Sequence, residues 1–282
     1  MADASHIDTV LAFYDSHPIS ERQILDKLKA DGIDPAGLTE DVLQKYDQDH
    51  YGGVSANESL AMLAGIDADC AVLDLCCGLG GPSRYLAHTF GCRVTGVDLT
   101  ESRIEGARRL TDLTGLEDRV GFCSANALDL PFDDGSFDVV IGQEAFCHIP
   151  DKARLVAEAV RVLKPGGRIA FTDILATAAT TQGTLERLQG EMAFAGLGSF
   201  DSYRRHLEGQ GCDGIEMRNL SDNWRVILAE RLAMYRSLKD QTVARFGPEH
   251  FAKWDNAYSF FVGLYEAGEL GGGRFLARRK KD

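Results

Sequence analysis

The chain has 282 residues, 44% of them hydrophobic and 26% charged, with a formal net charge of −13. That composition is that of a folded globular protein and excludes a disordered chain or a whole-chain coiled coil. Thirty basic residues against 43 acidic ones leave a field that repels phosphates, so no nucleic-acid partner is expected.

The predicted elements run in order as follows. Residues 6–14 and 20–31 read as helices, the second with Ser20 as N-cap and Ile24, Leu25 and Leu28 at helical spacing. Residues 39–46 read as a third, capped by Thr39, and 47–53 as a polar, glycine-bearing loop. From residue 70 short apolar runs (71–75, 93–97, 120–124, 137–142, 167–175) alternate with helical stretches (81–90, 103–113, 151–163). That alternation predicts a doubly wound, mostly parallel α/β sheet covered on both faces. Later come a helix at 200–209, a strand at 215–220, helices over 224–246 and 249–267, and a closing strand at 270–278, which makes seven strands. The expected organisation is an N-terminal helical cap (1–53), an α/β core (54–221), a helical lid inserted before the last strand (222–268), and that strand with a basic tail (269–282).

Seven cysteines, an odd number, argue against a disulfide framework, and none has zinc-site spacing, so no metal is expected. Most of them fall in apolar stretches and read as small core residues. No apolar run reaches the roughly eighteen residues of a membrane span. The first ten residues, MADASHIDTV, lack the basic and apolar blocks of a signal peptide, so a cytoplasmic location is expected. The basic run 278–281 reads as a solvated chain end.

The strongest local signal is the segment Val72-Leu-Asp-Leu-Cys-Cys-Gly-Leu-Gly-Gly81, which follows a strand and opens a helix. Glycines there let backbone approach a ligand, and the helix start offers free N–H donors. Asp98, 20 residues beyond Gly78 and expected exposed at the end of the next strand, stands where ribose hydroxyls are bound in such sheets. Together they point to an adenosine-type ligand. Asp74 at the head of the loop would repel a pyrophosphate and suits a ligand carrying positive charge.

These segments, with Gly96-Val-Asp98-Leu, Ala125-Asn-Ala127, Leu130-Pro-Phe-Asp133, Ser136-Phe-Asp138 and Leu163-Lys-Pro-Gly-Gly167, resemble the class I S-adenosylmethionine-dependent methyltransferases. The stretch Val140 to Asp151, Phe171-Thr-Asp173 and the ending Ala267 to Gly273 look most like the sarcosine/dimethylglycine N-methyltransferases and related small-amine enzymes. The resemblance implies a Rossmann-like methyltransferase fold, with S-adenosylmethionine as cofactor and S-adenosylhomocysteine as product. It implies that Asp74, Gly78 and Gly80 hold the methionine half of the cofactor and that Asp98 takes the ribose. Leu99 would lie against the adenine, Asn126 and Ala127 at its edge, and Gln143 nearby. Tyr46, Cys77 and Arg103 are further expected cofactor contacts. Cys76 stands in place of the usual first glycine, which requires a negative φ, and the Asn126 carbonyl is expected to accept from the adenine amine.

An amine acceptor must lose a proton, and Glu144 and His148 are the candidate catalytic residues. Tyr51, Phe146, Trp224 and Tyr258 are candidate ring faces for a cationic centre. Arg204, Arg205 or Arg225 would take a substrate carboxylate. The expected partner is a small polar methyl acceptor, an amine of the glycine, sarcosine, dimethylglycine or ethanolamine kind, with a homodimer possible and no membrane. Alternatives are S-methylation of a thioether or thiol, C- or O-methylation of a larger metabolite, and a cofactor-binding sensor without chemistry.

Overall fold

The computed structural model describes residues 4–15, 17 and 19–281. Residues 1–3, 16, 18 and 282, which fall in the first and last of the expected segments, lie outside the described residues.

Helices α1 (Ala4–Asp15), α2 (Glu21–Ala30) and α3 (Glu40–Leu43) precede α4 (Gly53–Ala64). Then come β1 (Ala71–Leu75), α5 (Gly81–Phe90), β2 (Arg93–Asp98), α6 (Glu101–Thr114), β3 (Val120–Ser124), β4 (Phe137–Gln143), α7 (Lys152–Arg161) and β5 (Leu163–Ala176). The chain continues through α8 (Gln182–Met192), α9 (Phe200–Gly209) and β6 (Cys212–Asn219). The helices α10 (Ser221–Ser237), α11 (Lys239–Phe246) and α12 (Pro248–Glu266) follow before β7 (Leu270–Arg279). The seven strands form one sheet in the order β3-β2-β1-β4-β5-β7-β6. β1 to β5 run parallel, while β7 is antiparallel to both β5 and β6.

The apolar runs become central strands because both their faces are covered: Val72, Leu73, Asp74 and Leu75 are all buried. One face packs against Leu155, Val156 and Ala159 of α7 with Tyr203 and Leu207 of α9. The other packs against Leu60, Ala61 and Ala64 of α4 with Tyr85 and Leu86 of α5. Strand order reverses between β1 and β4, and crevices at the carboxyl ends of such strands are where ligands bind in open α/β sheets. The N-terminal helices reach this edge through Ile24, Leu28 and Leu43, which pack on Leu79 and Leu110. The helices α8, α10 and α12 cover the far side through Leu188, Trp224, Leu228 and Phe261. No helix among the described residues is long and apolar enough to cross a membrane.

Several sequence expectations need correction. Helices α4 and α8 have no counterpart in the expected elements, and only Glu40–Leu43 of 39–46 is helical, without a side-chain bond from Thr39. Part of the basic tail is strand: Arg278 pairs with Asp213 at 2.9 Å, and Arg279 Nη1 donates to the carbonyls of Arg161 (3.0 Å) and Leu163 (2.6 Å).

Candidate active site

The loop after β1 is held from all sides. Asp74 is buried and accepts from Ser83 Oγ at 2.6 Å, in the first turn of α5. Cys77 N donates to Val97 O at 3.0 Å, and Gly78 N donates to Asp98 Oδ2 at 3.0 Å. Gly80 has φ +76°, and a Cβ there would lie 2.6 Å from the Phe122 ring, so this turn accepts only glycine. Cys76 contradicts its expectation: φ is +60°, left-handed, so the residue replaces the family's glycine while keeping the glycine conformation. A non-glycine residue in that region costs about 1–2 kcal/mol, and the surrounding bonds hold it there.

Asp98 is half-buried and not exposed as its strand-end position suggests. Its second oxygen accepts from Thr100 N at 2.9 Å. Two backbone N–H groups therefore fix the carboxylate, and burial raises its pKa.

Two adjoining clefts open over these loops. The first is lined by Asp98, Leu99, Asn126 and Ala127, with His6, Ile7 and Val10 of α1 opposite. The second is lined by Asp74, Cys77, Gly78, Gln143 and Glu144, with Asp49 and His50 opposite. Tyr14, Cys76, Gly78, Arg103 and Ala145 border both. Arg103 is buried, its guanidinium carbon 5.1 Å from the Tyr14 ring centre, and its Nη2 has no hydrogen-bond partner among the described residues. Asn126 differs in detail from expectation: its Oδ1 already accepts from Leu128 N at 2.9 Å in an Asx turn, which leaves the amide nitrogen as its free group.

On the second cleft, Gln143 Nε2 donates to Asn57 Oδ1 at 2.8 Å, and its buried Oε1 has no partner among the described residues. Glu144 follows with φ +48°. Its Oε1 accepts from Thr172 Oγ1 at 2.6 Å and its Oε2 from Tyr51 N at 2.7 Å. Burial pushes this carboxyl up to about 7, against the pull of those two bonds and of Arg231. Burial also raises Asp74, again to about 7. His148 lies on the first cleft with both ring nitrogens engaged: Nε2 with the Tyr14 hydroxyl at 2.9 Å and Nδ1 with Ala193 O at 3.1 Å. Nδ1 faces a carbonyl and so carries the proton, which leaves Nε2 to accept from Tyr14. Burial lowers its pKa to about 4, so the ring is neutral at physiological pH.

Not every expected residue arrives. Tyr46 turns away, donating from its hydroxyl to Asp31 at 2.8 Å. Phe146 is core, its ring 5.2 Å from that of Phe171. Trp224 is core too, filling the space beside Gly272 with an edge contact to Tyr51. Arg204 and Arg205 are exposed on α9, and Arg225 on α10 pairs with Asp222, because these helices turn those positions to solvent. Tyr51 reaches the site through its backbone N–H, while Tyr258 lines a third cavity, between α2 and α12. Tyr14, Asn57 and Arg231 join the site without having been singled out in the sequence, and Thr172 joins it from the Phe171-Thr-Asp173 motif, where it had been given no role. Arg231 donates to Asp49 O at 2.9 Å and His50 O at 2.7 Å.

Residues 73–171 match the methyltransferase domain family. The chain belongs to this family, the S-adenosylmethionine-dependent methyltransferases, and carries its Rossmann-like fold. It is 33% identical over 213 residues to the glycine/sarcosine/dimethylglycine N-methyltransferase of Actinopolyspora halophila, covering 76% of this chain and 38% of that protein. It is 31% identical to the 27-O-demethylrifamycin SV methyltransferase of Amycolatopsis mediterranei, covering 69% of this chain and 72% of that one. The fold is similar to that of Haemonchus contortus phosphoethanolamine N-methyltransferase 2 in complex with S-adenosyl-L-methionine, with a TM-score of 0.76, 22% identity, and coverage of 100% of this chain and 61% of that chain. The chain spans between 38% and 63% of the length of the first three curated relatives it matches.

Proposed function

We propose that this chain transfers a methyl group from S-adenosylmethionine to the amine nitrogen of a small-molecule acceptor, with Glu144 taking the amine proton. The observation that carries it is the Glu144 carboxyl: at the wall of the second cleft, held by Thr172 and Tyr51, and raised by burial to about 7. A base poised near the working pH is suited to proton transfer.

The residues fit the cofactor. The partnerless Arg103 Nη2 and Gln143 Oε1 are buried hydrogen-bonding atoms that a polar ligand would satisfy. The space where Gly78 would carry a Cβ is empty and borders both clefts. Asp98 would bind the ribose hydroxyls, and Leu99, Asn126 and Ala127 would border the adenine. Asp74, Cys77, Gly78, Arg103 and Gln143 would hold the methionine half, with Arg103 toward its carboxylate, while Gly80 shapes the turn and lines neither cleft. A cation beside Asp74 would draw that carboxyl back to its ionised form.

When bound, the cofactor supplies an electrophilic methyl group on a sulfonium, whose carbon–sulfur electron pair returns to sulfur as the new carbon–nitrogen bond forms. The chain's own contribution is to orient the acceptor lone pair, exclude water and receive the proton on Glu144. Neutral His148 holds Tyr14 against the cleft and has no nitrogen free to act as a base. The named relatives that methylate glycine, sarcosine or phosphoethanolamine act on nitrogen, and this supports an amine here.

Release of S-adenosylhomocysteine measured against sarcosine, dimethylglycine, ethanolamine, a thioether and a phenol tests the proposal. The amines should give the highest turnover. A thioether as the best acceptor would refute it, because no proton would then need removal.

A further inference from the structure

A third cavity, of about 360 Å³, lies between α2 and the helices α10, α11 and α12. Tyr46, Tyr235, Phe246, Trp254 and Tyr258 supply ring surfaces to its wall. Among the described residues the exposed large apolar side chains are Met62, Val226, Met234, Leu238 and Phe246. Three of these, Met234 at 58% exposure, Leu238 at 40% and Phe246 at 43%, line this one cavity. Apolar side chains left in water around a concave surface mark a binding site. The Tyr235 hydroxyl there is buried and has no hydrogen-bond partner among the described residues, although its ring stacks on Phe251 at 5.1 Å.

The cavity abuts the cleft that holds Glu144. Ile19 lines both, and Arg231 on the cavity wall donates to the carbonyls of Asp49 and His50, which line the cleft. At about 360 Å³ the cavity falls within the range of about 300–1,000 Å³ found for small-molecule sites, and an amino acid the size of sarcosine would leave most of it empty. The guanidinium groups expected to grip a glycine-like carboxylate, those of Arg204, Arg205 and Arg225, lie elsewhere.

We propose that the acceptor carries its amine on an aromatic body that this cavity holds, so that the substrate class is aryl-substituted amines rather than free small amino acids. This rests on the strand-end clefts being the methyl-transfer site. Ring–ring contacts with Trp254 and Tyr258 would hold the aromatic part, and the amine would extend past Ile19 toward Glu144.

N-benzylglycine and sarcosine share a secondary amine and carboxylate and differ by one ring, so they separate the alternatives. Calorimetry on the full chain loaded with S-adenosylhomocysteine should show N-benzylglycine binding about tenfold tighter or more, the least that burying one ring yields. Met234→Trp and Leu238→Trp, which fill the cavity mouth, should erase that advantage. Neither should change the affinity for sarcosine or for S-adenosylhomocysteine. Equal binding of the two amines, or equal weakening of both by the filling variants, overturns the proposal. So does a sedimenting dimer dispersed by Met234→Arg, which would assign the face to a second copy of the chain. Failure of S-adenosylhomocysteine to bind at all would refute the reading of the clefts. The ring preference, measured by titrating the two amines directly, would still judge the cavity.

Discussion

At the scale of single residues, the site depends on carboxyl groups whose surroundings set their roles. Asp98 is fixed by the N–H groups of Gly78 and Thr100 and faces the first cleft. Asp98→Asn should therefore weaken S-adenosylhomocysteine binding by about 1–3 kcal/mol, the value of charge-assisted hydrogen bonds, with the melting temperature nearly kept. Calorimetry showing unchanged affinity would remove Asp98 from the ligand. This residue and the glycine loop were legible in the sequence because their signal is local: a strand, a turn that demands glycine, and an acid at the next strand end. The setting of Glu144 was not. Its partners Thr172 and Tyr51 lie 28 and 93 residues away along the chain, and its left-handed φ is imposed by tertiary packing. Cys76 misled for the same reason, since a side chain where glycine is usual gives no sign that the glycine conformation is retained.

At the scale of elements, α1 and the helices before β7 form the walls above the sheet. Tyr14 of α1 is tied to His148, and His148 in turn to Ala193 after α8. Lys152 of α7 donates to the carbonyls of Phe146 and Gly196 at 2.7 and 2.8 Å and also to that of Ile149, clamping the loop that presents His148. Loss of the imidazole breaks two hydrogen bonds, each worth about 1 kcal/mol. His148→Ala should lower stability by about 2 kcal/mol and speed amide exchange in α1. Lost activity with stability and exchange unchanged would mean that the ring acts in chemistry. Binding of S-adenosylhomocysteine should slow exchange in α1 and in the loop around Asp49 and His50, whose side chains border the clefts. Indifference of both segments would contradict their place in the site. The strands and the helices between them could be read from the alternation of apolar runs. Helix α4 could not, because small residues and a buried Asn57 blur its apolar stripe. The buried core positions of Phe146 and Trp224 were equally hidden, since an aromatic beside a motif has the same sequence signature whether it faces ligand or core.

At the scale of the whole molecule, buried titratable groups make stability depend on pH. Burial holds Asp173 near 6, Asp74 and Glu144 near 7 and Glu40 near 8. These carboxyls keep their protons in the folded state at pH values where the unfolded chain has lost them. The stability they contribute is complete below the unfolded carboxyl pKa and is lost as pH rises through about 6 to 8. His50 and His148, lowered to about 4, act in the other direction: their contribution is present above 6.5 and lost as pH falls toward 4. The cofactor-free protein should therefore melt at a falling temperature between about pH 6.5 and 8, where the carboxyl contribution is being lost and that of His50 and His148 is already complete. A flat or rising profile would show that these groups are not buried as described. The Glu144 carboxyl links that profile to function, and the pH–rate profile of S-adenosylhomocysteine formation with an amine acceptor, wild type beside Glu144→Gln, tests the account most directly. Wild-type kcat should fall as pH drops below about 7, and Glu144→Gln should lose about 100-fold or more at neutral pH, with the deficit shrinking as the free amine becomes abundant. Wild-type rates from Glu144→Gln across the whole range would contradict it.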